Sequence, residues 1–101
     1  MLRCSTSKRT AHLDFRQLRY ALSVSKERSF TQAAKRLNIS QSAVSEQVKL
    51  LEEEIGFELF RRTSRGIEAT ERGRTFLYDA ERVIGDVLSL SDTARGRRPI
   101  R

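Results

Sequence analysis

Residues 29 to 56 read SFTQAAKRLNISQSAVSEQVKLLEEEIG, and their apolar spacing predicts two short helices bent across a tight turn. In the first, Phe30, Ala33, Ala34 and Leu37 form the i, i+3, i+4, i+7 stripe of a helix with one buried face. The paired alanines on that stripe let another helix come close. Asn38 suits the left-handed conformation that ends a helix, Ile39 plugs the corner, and Ser40 can cap the second helix. That helix carries Val44, Val48, Leu51 and Ile55 on one face and Gln41, Ser42, Ser45 and Glu46 on the other, near its N-terminal end. Polar groups that are short or planar, at that end of a helix, are what a recognition helix presents to base edges. The competing reading is a generic helical pair with a solvated outer face.

Working outward, Gly56 is a natural stop for the second helix, and Phe57 to Arg61 loses the helical period, which predicts a short strand. A turn-forming stretch, Arg62 to Gly66, leads to a second strand at Ile67 to Ala69. Two strands with a basic tip after a helix-turn-helix make a wing. Its arginines, Arg65 above all and Arg62 beside it, can meet the phosphate backbone or a narrow minor groove. A hairpin tip charged only for solvation is the alternative. On the other side of the motif, Asp14 to Arg28 predicts an opening helix. Asp14 and Gln17 stand there at capping-box spacing, and Phe15, Leu18, Ala21 and Leu22 supply its inner face.

Thr70 can cap a last helix running from Glu71 to Ala94, about 36 Å long at 1.5 Å per residue. Phe76, Ala80, Val83, Val87 and Leu90 recur along it at alternating spacings of four and three, with Leu77, Ile84 and Leu88 widening the stripe. A three-helix domain is expected to cover its first two turns at most. The remainder predicts a short coiled coil with a second copy of the chain. Gly85 in the middle costs about 1 kcal/mol against alanine, which a helix without a partner could ill sustain.

Composition narrows the functional classes. At 101 residues the chain makes one small domain, or one domain plus an appendage, and its core is too modest to enclose a large substrate pocket. One cysteine, Cys4, and one histidine, His12, provide neither a disulfide nor zinc spacing nor a nucleophile with its base. No enzyme, metal site or resident cofactor is expected. The net charge of +7 comes wholly from the ends: Arg3, Lys8 and Arg9 before residue 14, and Arg95, Arg97, Arg98 and Arg101 after Ala94. The body between carries 13 basic and 13 acidic residues, so only local clustering argues for nucleic acid. Arg61, Arg62 and Arg65 cluster, followed by Arg72 and Arg74, while Glu52, Glu53 and Glu54 lie at the far end of the second motif helix. The first 13 residues lack the apolar run of a signal peptide, and no stretch approaches a membrane span, so the expected location is the cytoplasm.

The run Phe30, Thr31, Ala33, Ala34, Leu37, Ser40, Gln41, Val44, Ser45, Gln47, Leu51, Glu52, Gly56, Leu59, Phe60, Arg62, Thr70, Gly73 resembles the N-terminal DNA-binding domain of LysR-type bacterial transcriptional regulators. The likeness covers about residues 14 to 94. It implies a mainly α fold, a winged helix-turn-helix of three helices and a two-stranded wing followed by a long dimerisation linker helix. The expected organisation is a disordered basic extension over 1–13, the DNA-binding domain over 14–70, the linker helix over 71–94 and a basic hinge or tail over 95–101. Family members continue into a larger effector-binding domain that takes the small-molecule inducer, so this chain looks like the DNA-binding portion alone, with no cofactor of its own. The implied partners are double-stranded promoter DNA, a second copy of the chain, further pairing into tetramers in the full-length protein, and RNA polymerase. No membrane is implied.

Carried over position by position, the family's base contacts fall on Gln41, Ser42, Ser45 and Glu46 and its wing arginine on Arg65, with Thr31, Gln32, Lys49 and Arg62 toward the backbone. Two positions depart from the common pattern. Ser42 stands where many members have proline and adds a hydroxyl. Glu46 stands where many have arginine; phosphate repels it, so it either accepts from a cytosine N4 amino group or touches no base. The rival class is a helical protein-interaction module that dimerises without reading DNA. It explains the long helix and leaves the polar face and the arginine tip unexplained.

Overall fold

The computed structural model describes residues 13–96. Most of the expected basic extension, with Cys4 and His12, and the tail from Arg97 onward lie outside the described residues. The element order is α1 (Phe15–Glu27), α2 (Phe30–Leu37), α3 (Gln41–Ile55), β1 (Phe60–Thr63), β2 (Gly66–Ala69) and α4 (Glu71–Ala94). Each helix begins where a side chain can take an orphan N–H. Asp14, Ser29, Ser40 and Thr70 accept from Arg16, Gln32, Ala43 and Gly73 respectively. Helices α1, α2 and α3 end on left-handed residues, Arg28, Asn38 and Gly56.

Helix α1 is the hub, packing on α2, α3 and α4. Ala33 and Ala34 are buried, so the small pair on α2 does bring the helices together. Ala21, Val24, Val44, Leu51 and Leu59 lose essentially all contact with solvent. Burial of a Val or Leu side chain contributes about 1.5–3 kcal/mol, so these few residues dominate the stability of a small domain. Phe30 holds the wing to the motif through an edge-to-face contact with Phe60, their ring centroids 6.1 Å apart.

Three expectations are corrected. The spacing of Asp14 and Gln17 does not make a capping box. Asp14 accepts from Arg16 N–H at 2.9 Å, and Gln17 Nε2 instead donates across the core edge to Gln47 Oε1 at 3.3 Å. The first wing strand begins at Phe60, three residues later than expected, and Arg62 lies within it while the turn shortens to Ser64 and Arg65. The reason is tertiary. The Leu59 carbonyl still accepts from Thr70 N–H at 2.8 Å in the ladder's register. The Leu59 N–H, however, donates to Glu52 Oε2 at 2.7 Å and the Thr70 carbonyl accepts from Arg74 N–H inside α4, so the reciprocal bond is absent and pairing stops at Phe60. Lastly, the domain covers more of α4 than two turns. Gly73, Leu77, Ala80 and Ile84 are all buried, so contact reaches the fourth turn.

Candidate nucleic-acid interface

Helix α3 presents Gln41, Ser42, Ser45, Glu46 and Lys49 on one exposed arc, about 140° wide at about 100° per residue. Its other side, with Val44, Val48 and Leu51, is locked into the core, so the arc cannot rotate inward. The turn at Asn38 and Ile39 brings the first turn of α2 beside the first turn of α3. Thr31 Oγ1 there donates to Gln41 Oε1 at 2.9 Å. Ser42 Oγ lies 3.3 Å from Ser40 Oγ, the capping hydroxyl of the same helix. Thr31 and Gln32 are exposed at the start of α2. The first turn of α3 holds no acidic residue, so its positive dipole end is open to anions.

The wing is an antiparallel hairpin with Thr63 paired to Gly66. Thr63 Oγ1 braces its two-residue turn, accepting from Arg65 N–H at 3.1 Å and donating to the Gly66 carbonyl at 3.2 Å. Arg61, Arg62 and Arg65 are exposed. Sequence reasoning missed what sets the wing's position, which is Arg28 at the end of α1. The Arg28 carbonyl accepts from Ile67 N–H at 3.2 Å, and its guanidinium meets Glu68 at 2.9 Å. An ion pair this exposed is worth at most about 1 kcal/mol, so the backbone bond and the packing of Ile67 matter more. No local pattern could have signalled a bond spanning about forty residues of chain.

The other arginines divide by use. Arg72 lies over the Phe57 ring, 4.2 Å from its centroid, and Phe57 packs edge-to-face on Phe76. Arg74 Nη1 reaches the Ala69 carbonyl. Arg28, Arg65 and Arg74 line one shallow pocket behind the wing, with Glu68 the acidic residue among its lining. Of the acidic run on α3, Glu52 is structural, through its bond to Leu59.

The expected dimer residues separate into two groups. Ala80 is buried and Phe76 half-buried, while Val83, Val87 and Leu90 are 49%, 42% and 69% exposed. Phe76, Ala80, Val83 and Val87 border an apolar groove of about 440 Å³ between α1 and α4, closed on the other side by Leu13, Phe15 and Leu18. Among the described residues, no cluster of His, Cys, Asp and Glu could hold a metal, and no helix is long and apolar enough to cross a membrane.

A three-helix core with a recognition helix, a two-stranded wing and a long trailing helix defines a winged helix-turn-helix domain. The chain belongs to the lysR family of bacterial regulatory helix-turn-helix proteins, whose model matches residues 15–74. It is 51% identical over 82 residues to the HTH-type transcriptional regulator BudR of Klebsiella aerogenes, covering 81% of this chain and 54% of that protein. It is 45% identical over 83 residues to the probable cat1 operon transcriptional activator of Acinetobacter lwoffii, covering 82% and 27%. The chain therefore spans about half the length of the first relative and about a quarter of the second. Its fold matches the crystal structure of the CbnR DNA-binding domain complexed with DNA, with a TM-score of 0.77 and 38% identity over 83% of this chain and 97% of that one. It also matches the BenM DNA-binding domain complexed with benA site 1 DNA, with a TM-score of 0.78 and 36% identity over 82% and 93%.

Proposed function

We propose that this chain reads duplex promoter DNA as a homodimer, as the DNA-binding portion of a LysR-type regulator acting in the bacterial cytoplasm. The observation that carries the reading is the exposed polar arc of α3, held outward by its buried opposite face beside a basic wing. The likeness to DNA-bound domains of CbnR and BenM supports it. Gln41, Ser42 and Ser45 face base edges in the major groove. Glu46 either accepts from a cytosine amino group or stands clear of the bases. Gln32, Lys49, Arg62 and Arg65 lie along the backbone or minor groove and position the protein without specifying sequence. The helix α4 stripe of Phe76, Ala80, Val83, Val87 and Leu90 joins two copies. The chain performs no catalysis and holds no cofactor. An inducer, contact with RNA polymerase and assembly into tetramers belong to the longer protein.

Selection of bound fragments from random DNA yields the preferred site, and the variants are then measured on it. Gln41→Ala is expected to cost about 1–3 kcal/mol on that site and almost nothing on unrelated DNA, because a bidentate base contact carries discrimination of that size. Equal losses on both DNAs would remove Gln41 from base reading. Arg65→Ala is expected to weaken binding to every duplex and to lower the slope of log affinity against log salt by about one, the release of one phosphate's counterion. Unchanged slope and affinity would leave Arg65 a solvated hairpin tip. A chain whose DNA binding is absent or insensitive to salt would favour the protein-interaction module instead.

A further inference from the structure

Thr31 Oγ1 and Gln41 Oε1 lie 2.9 Å apart, both on exposed residues at the adjoining N-terminal turns of α2 and α3. A threonine hydroxyl carries one hydrogen. A phosphate oxygen only accepts. Thr31 therefore cannot donate to the DNA backbone while it donates to Gln41, and the two roles exclude each other. The bond to Gln41 already exists without DNA. It biases the orientation of a carboxamide whose last torsion is otherwise broad. Thr31 occupies one of the two lone pairs on Oε1, so Gln41 keeps one acceptor site and both Nε2 hydrogens. That pattern complements adenine, which offers an N6 amino donor beside the N7 acceptor in the major groove. Guanine offers two acceptors, N7 and O6, and would set O6 against the held Oε1.

Building on the reading of α3 as a base-reading helix, we infer that Thr31 is a positioning residue for Gln41, its hydroxyl presetting the carboxamide to select adenine over guanine. Thr31 then acts on sequence preference rather than on phosphate affinity. Ordering the amide before binding lowers the entropy lost when the contact forms, the general advantage of a preorganised recognition group.

The test is a double-mutant cycle on the whole chain. Affinities of the wild type, Thr31→Val, Thr31→Ser, Gln41→Ala and the Thr31→Val/Gln41→Ala double variant are measured by fluorescence anisotropy. Three duplexes serve: the selected site, the same site with a G·C pair at the position whose preference Gln41→Ala abolishes, and an unrelated sequence. Thr31→Val nearly preserves shape and removes the hydroxyl. It is expected to weaken binding to the selected site about 3- to 10-fold, the range of one net hydrogen bond. It should also narrow the adenine preference and leave the unrelated duplex unaffected. Thr31→Ser restores wild-type behaviour, and Thr31→Val has no further effect once Gln41 is alanine. The inference is overturned if Thr31→Val costs the same factor with and without Gln41, or weakens all three duplexes alike, since either result makes Thr31 a phosphate contact. Thr31→Val with wild-type affinities throughout also overturns it. If Gln41→Ala itself leaves sequence preference intact, the base-reading role of Gln41 fails first and the inference falls with it.

Discussion

Changing Val83 and Val87 together to aspartate is expected to leave a folded monomer whose affinity for a two-half-site operator falls by about 10²- to 10⁴-fold. Both valines are roughly half exposed in the single chain, so the substitution asks little of the domain's own core. In a seam between two α4 helices the same change would bring four carboxylates together in a poorly solvated stripe. Repulsion and the cost of burying unpaired charge then outweigh what the remaining apolar contacts supply. The loss on DNA arises because two joined heads bind the second half-site at an effective concentration set by the linker, and monomers do not. Sedimentation and gel shift on one-half-site and two-half-site duplexes read the two effects separately. An unmodified chain that sediments as a monomer at high micromolar concentration would refute the seam. The groove between α1 and α4 would then belong to a missing part of the longer protein.

Gly73→Ala carries the largest expected loss of stability, and Gly85→Ala on the same helix is its control. Helix propensity alone favours alanine by about 1 kcal/mol at both positions. At Gly85 a Cβ meets no atom within 4 Å, so that gain should appear undiminished as about 1 kcal/mol of added stability. At Gly73 the Cβ would collide with the Leu59 carbonyl oxygen and come within 3.0 Å of Leu59 Cα and 2.9 Å of Thr70 Oγ1. None of these can give way cheaply. The Leu59 carbonyl holds Thr70 N–H, the Leu59 N–H is held by Glu52, and Thr70 Oγ1 both caps α4 and donates to the Glu58 carbonyl at 2.7 Å. Overpacking against backbone costs about 1–3 kcal/mol or more, so the clash overrides propensity and a net loss is expected. Urea unfolding of the two variants decides it; Gly73→Ala as stable as Gly85→Ala would mean that Leu59 yields without strain.

The opposite outcomes expected at two glycines of one helix show why some of this protein was readable and some was not. Where the deciding atoms are within four residues of one another, the chain is self-explanatory. Ser40 and Thr70 cap the helices they precede, Asn38 and Gly56 take the left-handed turns, and the stripes of α2 and α3 bury the faces their spacing implies. Capping and periodicity depend on the local backbone, which the residue types alone specify. The exposed arc of Gln41, Ser42, Ser45 and Glu46 is legible for the same reason, being what remains once the buried face of α3 is assigned.

Tertiary contact decided the rest. Asp14 and Gln17 have the spacing of a capping box, yet Gln17 turns to Gln47, thirty residues away in sequence. Phe57 to Leu59 has the composition of a strand, but Glu52 takes the Leu59 N–H and α4 takes the Thr70 carbonyl, the two groups that the next ladder bond would need. Arg72 belongs to a basic cluster in sequence and in space stacks on Phe57. The wing's seat on Arg28 and the bond joining Thr31 to Gln41 have no local signature, because the first links the end of α1 to β2 and the second links the starts of α2 and α3, contacts that only the tertiary packing creates. The linker stripe shows the division within a single element. Its period is written in the sequence and predicts an apolar face over the whole of α4. How much of that face the domain itself buries, through Ile84 on one flank while Val83 and Val87 stay open on the other, depends on where α1 lies against it.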